Sequence, residues 1–166
     1  IHSTSAAGKS TLLDATLALM PPESVVRYSA LTSQALYYLD GTDLRHKILA
    51  VAEDAGLGDS AYALKLLQSD GRLELAAAAP AAGSGRPRTA CRQVEGPVAL
   101  FLTSTADQPD PELANRCLVV PVSASHQQTA AVQAAQRAAC TLEGIAARRQ
   151  QAAVVQLHQD AQGLLE

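Results

Sequence analysis

The residues best suited to chemistry lie between Ser3 and Thr11, where the sequence reads STSAAGKST. This stretch fits the phosphate-binding pattern GxxxxGK[ST], except that Ser3 stands where the pattern has its first glycine. Small residues allow consecutive backbone N–H groups to surround a phosphate, and a helix that begins here would direct its positive end at the same anion. Lys9 would reach the β- and γ-phosphates, and the Ser10 hydroxyl would bind Mg²⁺. The predicted nucleotide contacts are Ser5, Ala6, Ala7, Gly8, Lys9, Ser10 and Thr11.

An acidic pair further along the chain is the second candidate for chemistry. The apolar run 49–52 is followed directly by Glu53 and Asp54. A phosphoryl-transfer site needs carboxylates that hold Mg²⁺ and polarise the attacking water. The usual order in such a pattern is Asp then Glu, and here it is reversed. We therefore expect Glu53 to bind the metal or act as the base, with Asp54 as second candidate, at a site for ATP and Mg²⁺.

An alternation of strands and helices must position these residues. Apolar residues at helical spacing predict a helix over Ser10–Met20, which Pro21 and Pro22 end. Short β-branched or continuous apolar runs predict strands. The predicted strands are Val25–Ser29, Lys47–Ala52, Val98–Leu102 and Leu118–Val122; the further helices are Thr32–Leu39, Ser60–Ser69 with Ser60 as N-cap, and a short one around Pro111–Asn115.

Two segments fall outside this alternation. Arg72–Ala77 and Thr89–Val94 are predicted to pair as a hairpin with an Ala-, Gly- and Pro-rich connection. From residue 127 onward the chain is rich in Ala and Gln and predicts helices, with Gly144 interrupting or bending them. The whole pattern predicts an α/β fold with a mainly parallel sheet, a β-hairpin insertion and a helical C-terminal extension.

In this order, the elements resemble those of AAA+ ATPases, which are P-loop nucleotide hydrolases built as three-layer sandwiches. The stretch 63–74 (ALKLLQSDGRLE) looks like the helix-then-hairpin region of bacterial enhancer-binding activators and minichromosome-maintenance helicases. Residues 101–106 (FLTSTA) resemble the sensor 1 strand end, where a polar side chain positions the lytic water. The resemblance gives that role to Thr105, with Thr103 and Ser104 as neighbours.

A second part of the resemblance concerns assembly. Residues 114–117 (ANRC) are similar to the Ser-Arg-Cys element of clamp loaders, whose arginine reaches the nucleotide of a neighbouring subunit. The resemblance therefore implies that Arg116 is an arginine finger and that the chain forms a homo-oligomeric ring, a hexamer. The alternative is a surface arginine that caps a helix.

More narrowly, residues 28–56 and 95–106 look like the ATPase module of primase- or helicase-like proteins of phages and plasmids. The resemblance covers residues 3–122, and it implies a nucleotide-binding core over 1–122 with 123–166 leading into a lid. The departures are Ser3, the Glu-Asp order and the first strand, because only Ile1 and His2 precede a loop that normally follows a central strand. We therefore expect the chain to begin inside its own motif. Arg137, Arg148 and Arg149 lie in the predicted lid helices, but none matches a sensor 2 arginine.

Charge bears on the choice of partner. The formal net charge of −3 argues against bulk attraction to DNA. A local cluster of Arg86, Arg88 and Arg92 lies at or beside the predicted hairpin tip. By the resemblance to helicases this hairpin would contact the DNA backbone, for which arginine is suited. The interpretation as a solvated loop without a ligand stands equally beside the DNA contact. A hairpin of the transcription-activator type would contact a protein instead.

Composition narrows the class of protein. Thirty-three alanines in 166 residues favour helices, and an apolar content of 48% excludes a disordered chain. The sequence has no run of eighteen apolar residues, so we expect no membrane span, and we expect no secretory signal. The cysteine and histidine spacings predict neither disulfides nor a structural metal. We expect a cytoplasmic protein without a membrane partner. Three functions remain: an ATP-hydrolysing motor on DNA in mobile-element replication, an ATP-dependent protein remodeller, and a degenerate scaffold.

Overall fold

The computed structural model describes residues 1–4, 7–39, 44–52, 57–79, 88–105 and 110–165 of the chain. These residues form strands and helices in the predicted alternation. The strands are β1 (Val25–Tyr28), β2 (Lys47–Val51), β3 (Arg72–Ala79), β4 (Arg88–Glu95) and β5 (Val98–Leu102). The α-helices are α1 (Lys9–Leu17), α2 (Ser33–Tyr37), α3 (Leu57–Asp70), α4 (Pro111–Ala114), α5 (His126–Ala139) and α6 (Leu142–Gly163).

The main sheet is parallel, with the strand order β1-β2-β5. In the register of the central strand, Leu49 lies between Val26 of β1 and Leu100 of β5. A strand with neighbours on both sides and helices on both faces is apolar throughout, which explains the continuous run in β2. The predicted α/β fold with a mainly parallel sheet is confirmed.

The sheet is continued beyond β5 by the first residues of the chain. His2 forms parallel bridges with Ser104 on one side and Pro121 on the other. The Ser104 N–H donates to the Ile1 carbonyl at 2.9 Å, and the Val122 N–H donates to the His2 carbonyl at 3.0 Å. The residues before the loop thus occupy an interior position between the end of β5 and the segment around Pro121.

The prediction of a buried strand over Leu118–Val122 is wrong. The segment contributes only the bridge at Pro121, and Leu118, Val119 and Val120 are 88%, 47% and 38% exposed. It has His2 as its neighbour on one side, and Pro121 has no N–H with which to extend a ladder. Leu118, Val119 and Val120 are therefore not covered on both faces, as a buried strand would require.

Helices cover the two faces of the sheet, which gives three layers. Leu49 and Val51 of β2 belong to a buried cluster with residues of α2 and α3, including Leu36 and Leu64. The intervening Ala50 packs with Leu13 and Leu17 of α1 on the opposite face. Because successive side chains of a strand point to opposite faces, one apolar strand serves both layers.

The hairpin follows α3 and is longer than predicted. β3 and β4 pair in antiparallel register from Arg72 opposite Glu95 to Ala79 opposite Arg88. Gly71 makes the turn into β3 with a positive φ of 67°, a conformation that favours glycine. α3 begins at Leu57, so Ser60 lies inside its first turn and the predicted N-cap there is wrong.

The C-terminal extension consists of two helices, as predicted, but the break between them is not at Gly144. α5 ends at Ala139, and Thr141 caps α6 by accepting a hydrogen bond from the Gly144 N–H at 3.1 Å. A Cβ atom at Gly144 would lie 2.3 Å from the Ala138 carbonyl oxygen. Glycine therefore permits the close corner between the helices instead of interrupting one of them. Within the described part of the chain, no helix has both the length and the apolarity that a membrane crossing needs.

Candidate functional site

The Ser3–Lys9 loop leads from the sheet into α1. Gly8 caps the helix with φ 90° and ψ 15°, a left-handed conformation, and its carbonyl accepts the Leu12 N–H at 3.0 Å. Among the described residues outside the adjoining backbone, no atom lies within 4 Å of where a Cβ would stand. The left-handed backbone conformation itself favours glycine here. Of the predicted contacts, Ala7 to Thr11 are described, whereas Ser5 and Ala6 lie outside the described residues.

Lys9 is buried although it is charged. Its side chain is 9% exposed, and its ammonium donates to the carbonyls of Ser3 at 2.9 Å and Thr4 at 2.5 Å. A buried cation needs such partners, because burial without them carries a large desolvation cost. The lysine therefore lies along the loop, with its charge at the loop's beginning, while Ser10 and Thr11 in the first turn of α1 are exposed.

Ser3, which replaces the first glycine of the pattern, has a structural contact of its own. Its hydroxyl donates to the Val122 carbonyl at 2.5 Å, and its N–H donates to the Ser104 carbonyl at 3.3 Å. The beginning of the loop is thus held to both neighbouring segments. Sequence reasoning identified Ser3 only as a departure from the pattern.

The carboxyl ends of the parallel strands meet beside this loop. The Thr103 hydroxyl, on a residue that is 2% exposed, donates to the Ala52 carbonyl. The Ala52 N–H donates to the Tyr28 carbonyl at 3.1 Å, which joins the ends of β1 and β2. The residues that follow Ala52 are Glu53 and Asp54, and this predicted acidic pair lies outside the described residues.

The three polar residues after β5 have different positions. Thr103 is buried, Ser104 is half-buried and bonded to the backbone of Ile1 and Ser3, and Thr105 is exposed. The predicted sensor Thr105 is therefore free of the packing that fixes Thr103. Sequence reasoning missed the part played by Thr103, for which the only signal was a hydroxyl directly after a buried strand.

The predicted arginine finger lies just after α4. Arg116 is exposed, and its guanidinium donates to the Ser69 hydroxyl at the end of α3. A second contact between the same helices joins the Lys65 ammonium to Glu112 at 2.5 Å and to Asp110 at 3.5 Å. These contacts fix α4 against α3.

The same contacts shift two pKa values. The hydrogen bond to Glu112 raises the pKa of Lys65. Asp110 caps α4 by accepting the Leu113 N–H at 2.8 Å, and this bond, helped by the Lys65 charge, lowers the pKa of Asp110.

Two of the three arginines of the predicted basic cluster, Arg88 and Arg92, lie within the described residues. Arg88 begins β4 beside the connection, and Arg86 lies outside the described residues. Arg92 is in the middle of β4, opposite Leu75, and its guanidinium stacks 4.4 Å from the ring centre of Tyr38 in the segment after α2. Arg92 thus lies within the strand, where its side chain joins the hairpin to the segment after α2.

The exposed face of the hairpin near its base carries charges of both signs. Arg72 pairs with Glu74 at 3.5 Å along β3, and Arg45 pairs with Glu95 at 3.3 Å. Such neutralised pairs give little net attraction to a polyanion.

No family model matches the chain, and no curated protein matches it. Within the described ranges, no three or more His, Cys, Asp or Glu side chains are grouped so that they could hold a metal ion. The predicted Mg²⁺ ligands are Ser10, at the exposed start of α1, and Glu53.

Proposed function

We propose that the chain binds ATP with Mg²⁺ at the Ser3–Lys9 loop and the first turn of α1, and hydrolyses it. The observation that carries this proposal is the left-handed Gly8 followed by Lys9 at a helix start, at the end of a segment that is paired on both sides. In parallel sheets, ligands bind outside the carboxyl ends of the strands where the chain changes direction across the sheet. Here the chain runs from this interior segment to the far strand β1 and then returns through β2 and β5.

A phosphate in the loop would compete with backbone carbonyls for Lys9. In the structure the ammonium donates hydrogen bonds to the neutral carbonyls of Ser3 and Thr4. A phosphate oxygen is an ionised acceptor, and charge-assisted hydrogen bonds are about twice as strong as neutral ones. The bound nucleotide would therefore draw Lys9 toward the phosphates.

Hydrolysis needs a metal ligand, a base and a residue that orients water. In the proposed mechanism Ser10 and Glu53 hold Mg²⁺, with Glu53 or Asp54 as the base. Thr105 orients the water, because it follows the strand next to β2 and its side chain is exposed at the same sheet edge. Arg116 completes the site of a neighbouring subunit in a homo-oligomeric, hexameric ring.

The test of hydrolysis is ATP turnover in the Lys9→Ala variant. We expect turnover to be lost, because the cation that faces the phosphates is removed. Lys47→Ala is the matched control, because Lys47 begins β2 and so lies at the amino ends of the parallel strands, opposite the ends that face the loop. This variant should keep turnover. Equal turnover in Lys9→Ala and Lys47→Ala would refute the assignment.

We further propose that this ATPase is an AAA+ motor module acting on DNA, of the helicase- or primase-associated kind. Its support is the resemblance in motif order together with a hairpin whose connection contains Arg86 in its sequence and is followed directly by Arg88. We expect DNA to stimulate turnover, and the double variant Arg86→Ala/Arg88→Ala to lose the stimulation. Arg72→Ala, on the same hairpin but ion-paired at its base, should keep it.

The second candidate is an ATP-dependent remodeller of another protein. It is favoured by the neutralised pairs on the hairpin face and by the engagement of Arg92 with Tyr38, which together leave few cations for DNA. Turnover that DNA does not change, in a protein whose Lys9→Ala variant is inactive, would select this candidate.

A further inference from the structure

The last helix contacts the rest of the molecule through its polar side. In the second half of α6 the half-buried residues are Val155, His158, Gln159 and Gln162, which share one helix face. On the neighbouring face Val154 and Leu157 are 60% and 70% exposed. The docking of α6 is therefore made by specific polar contacts and not by burial of its apolar stripe.

Two of these residues cap the carboxyl end of α1. The Gln159 side-chain amide donates to the Ala18 carbonyl at 2.8 Å, and Nδ1 of His158 lies 2.8 Å from the Leu19 carbonyl oxygen. Ala18 is the C-cap of α1 and Leu19 follows it, so both carbonyls lie just beyond the last turn of the helix. Residues far away in sequence thus hold the chain at the point where α1 ends.

The extension is also attached near the other end of the loop. Val122 is bonded through its carbonyl to the Ser3 hydroxyl and through its N–H to the His2 carbonyl. Three residues later Ser125 caps α5. At a rise of 1.5 Å per residue, α5 runs about 20 Å outward and α6 returns about 24 Å before it reaches His158. The two helices therefore connect the beginning of the loop with the far end of α1.

We propose that Gln159 and His158 are positioning residues for nucleotide binding. They hold the carboxyl end of α1 and so fix the direction in which the Gly8–Lys9 turn at its other end faces the ligand. This inference rests on the proposed binding of ATP at that turn. Because coupling between two sites is reciprocal, bound ATP also strengthens the docking of α6.

The docking itself is tested without nucleotide, by hydrogen exchange of the full 166-residue chain. Gln159→Ala should speed exchange of the backbone amides in residues 155–162 and 18–20, because α6 loses a contact to α1. Gln156→Ala is the matched control: Gln156 is one turn away and donates to Asp160 of the same helix at 2.8 Å. Equal exchange in the two variants would overturn the docking.

The positioning role is tested by titration of the same variants with ATP and Mg²⁺. We expect Gln159→Ala to bind about five-fold or more weakly than the wild type and Gln156→Ala to bind equally. In the wild type, ATP should slow exchange over residues 155–162. Faster exchange in Gln159→Ala with unchanged ATP affinity would make the contact merely structural and overturn the proposal. Absence of ATP binding in the wild type would refute the proposed function and the positioning role together, while the exchange comparison would still decide the docking.

Discussion

At the residue scale, local sequence patterns predicted the loop residues Gly8 and Lys9, but they did not predict contacts between residues that are distant in sequence. Gly8 and Lys9 were predicted because only certain residue types suit a loop that surrounds a phosphate, and the structure gives Gly8 the left-handed conformation such a turn needs. The contacts of Ser3 with Val122 and of Thr103 with Ala52 could not be predicted. They depend on which segments become neighbours in the sheet, and no local pattern records that register.

Variants of Thr103 and Thr105 separate an effect on the stability of the fold from an effect on ATP turnover. Thr103→Val leaves the half-buried Ala52 carbonyl without this donor, so we expect the free energy of unfolding to fall by about 0.5–1.5 kcal/mol. Thr105→Val removes an exposed hydroxyl, and the unfolding free energy should change by no more than about 0.5 kcal/mol while ATP turnover falls. Urea unfolding and a turnover assay on both variants check this.

Two results together would contradict the roles given to Thr103 and Thr105. If Thr105→Val turns over ATP at the wild-type rate while Thr103→Val unfolds at the wild-type urea concentration, both assignments are wrong.

At the element scale, the existence of a strand or helix was easier to predict than its boundaries or the neighbours that cover it. The predicted strand Lys47–Ala52 is observed over Lys47–Val51, and the cluster contacts of Leu49, Ala50 and Val51 show that it is covered on both faces. A similar run at 118–122 lies at the edge and is exposed. Periodicity records which residues are apolar but not whether a neighbour covers them. For the same reason, periodicity could not predict that Val154 and Leu157 of α6 are exposed.

The contact between α3 and α4 predicts a dependence of stability on pH. The pKa of Asp110 is lower in the folded state than its ordinary value of 3.8, so the unfolded chain binds more protons in acid. Its stabilising contribution is thus complete above that ordinary value and is lost as the pH falls through the lower folded value. Asp110→Asn, which keeps a capping side chain, should lose less stability in acid than the wild type.

Urea midpoints of the two proteins at pH 6 and pH 3 measure this difference. Parallel shifts of the two midpoints between these pH values would show that the Asp110 charge plays no part.

At the scale of the whole molecule, the main sheet brings the segments with candidate chemistry to one edge. The segment before Gly8, the end of β2 and the end of β5 lie side by side, joined by hydrogen bonds through Ser104, Thr103 and Ala52. This convergence follows from parallel pairing, which places every carboxyl end on the same side. The motifs therefore come close in space only because the sheet forms. A mainly parallel sheet could be predicted from the sequence, but the order of its strands could not.

Binding of ATP at the Gly8–Lys9 turn is tested by isothermal titration of the full chain with ATP and Mg²⁺. We expect a saturable heat for the wild type and for Lys47→Ala, and none for Lys9→Ala, because Lys9 is the buried cation of the loop proposed to bind the phosphates. Absence of heat in the wild type at high protein concentration would contradict the claim and favour a degenerate scaffold. Undiminished heat in Lys9→Ala would place any nucleotide elsewhere.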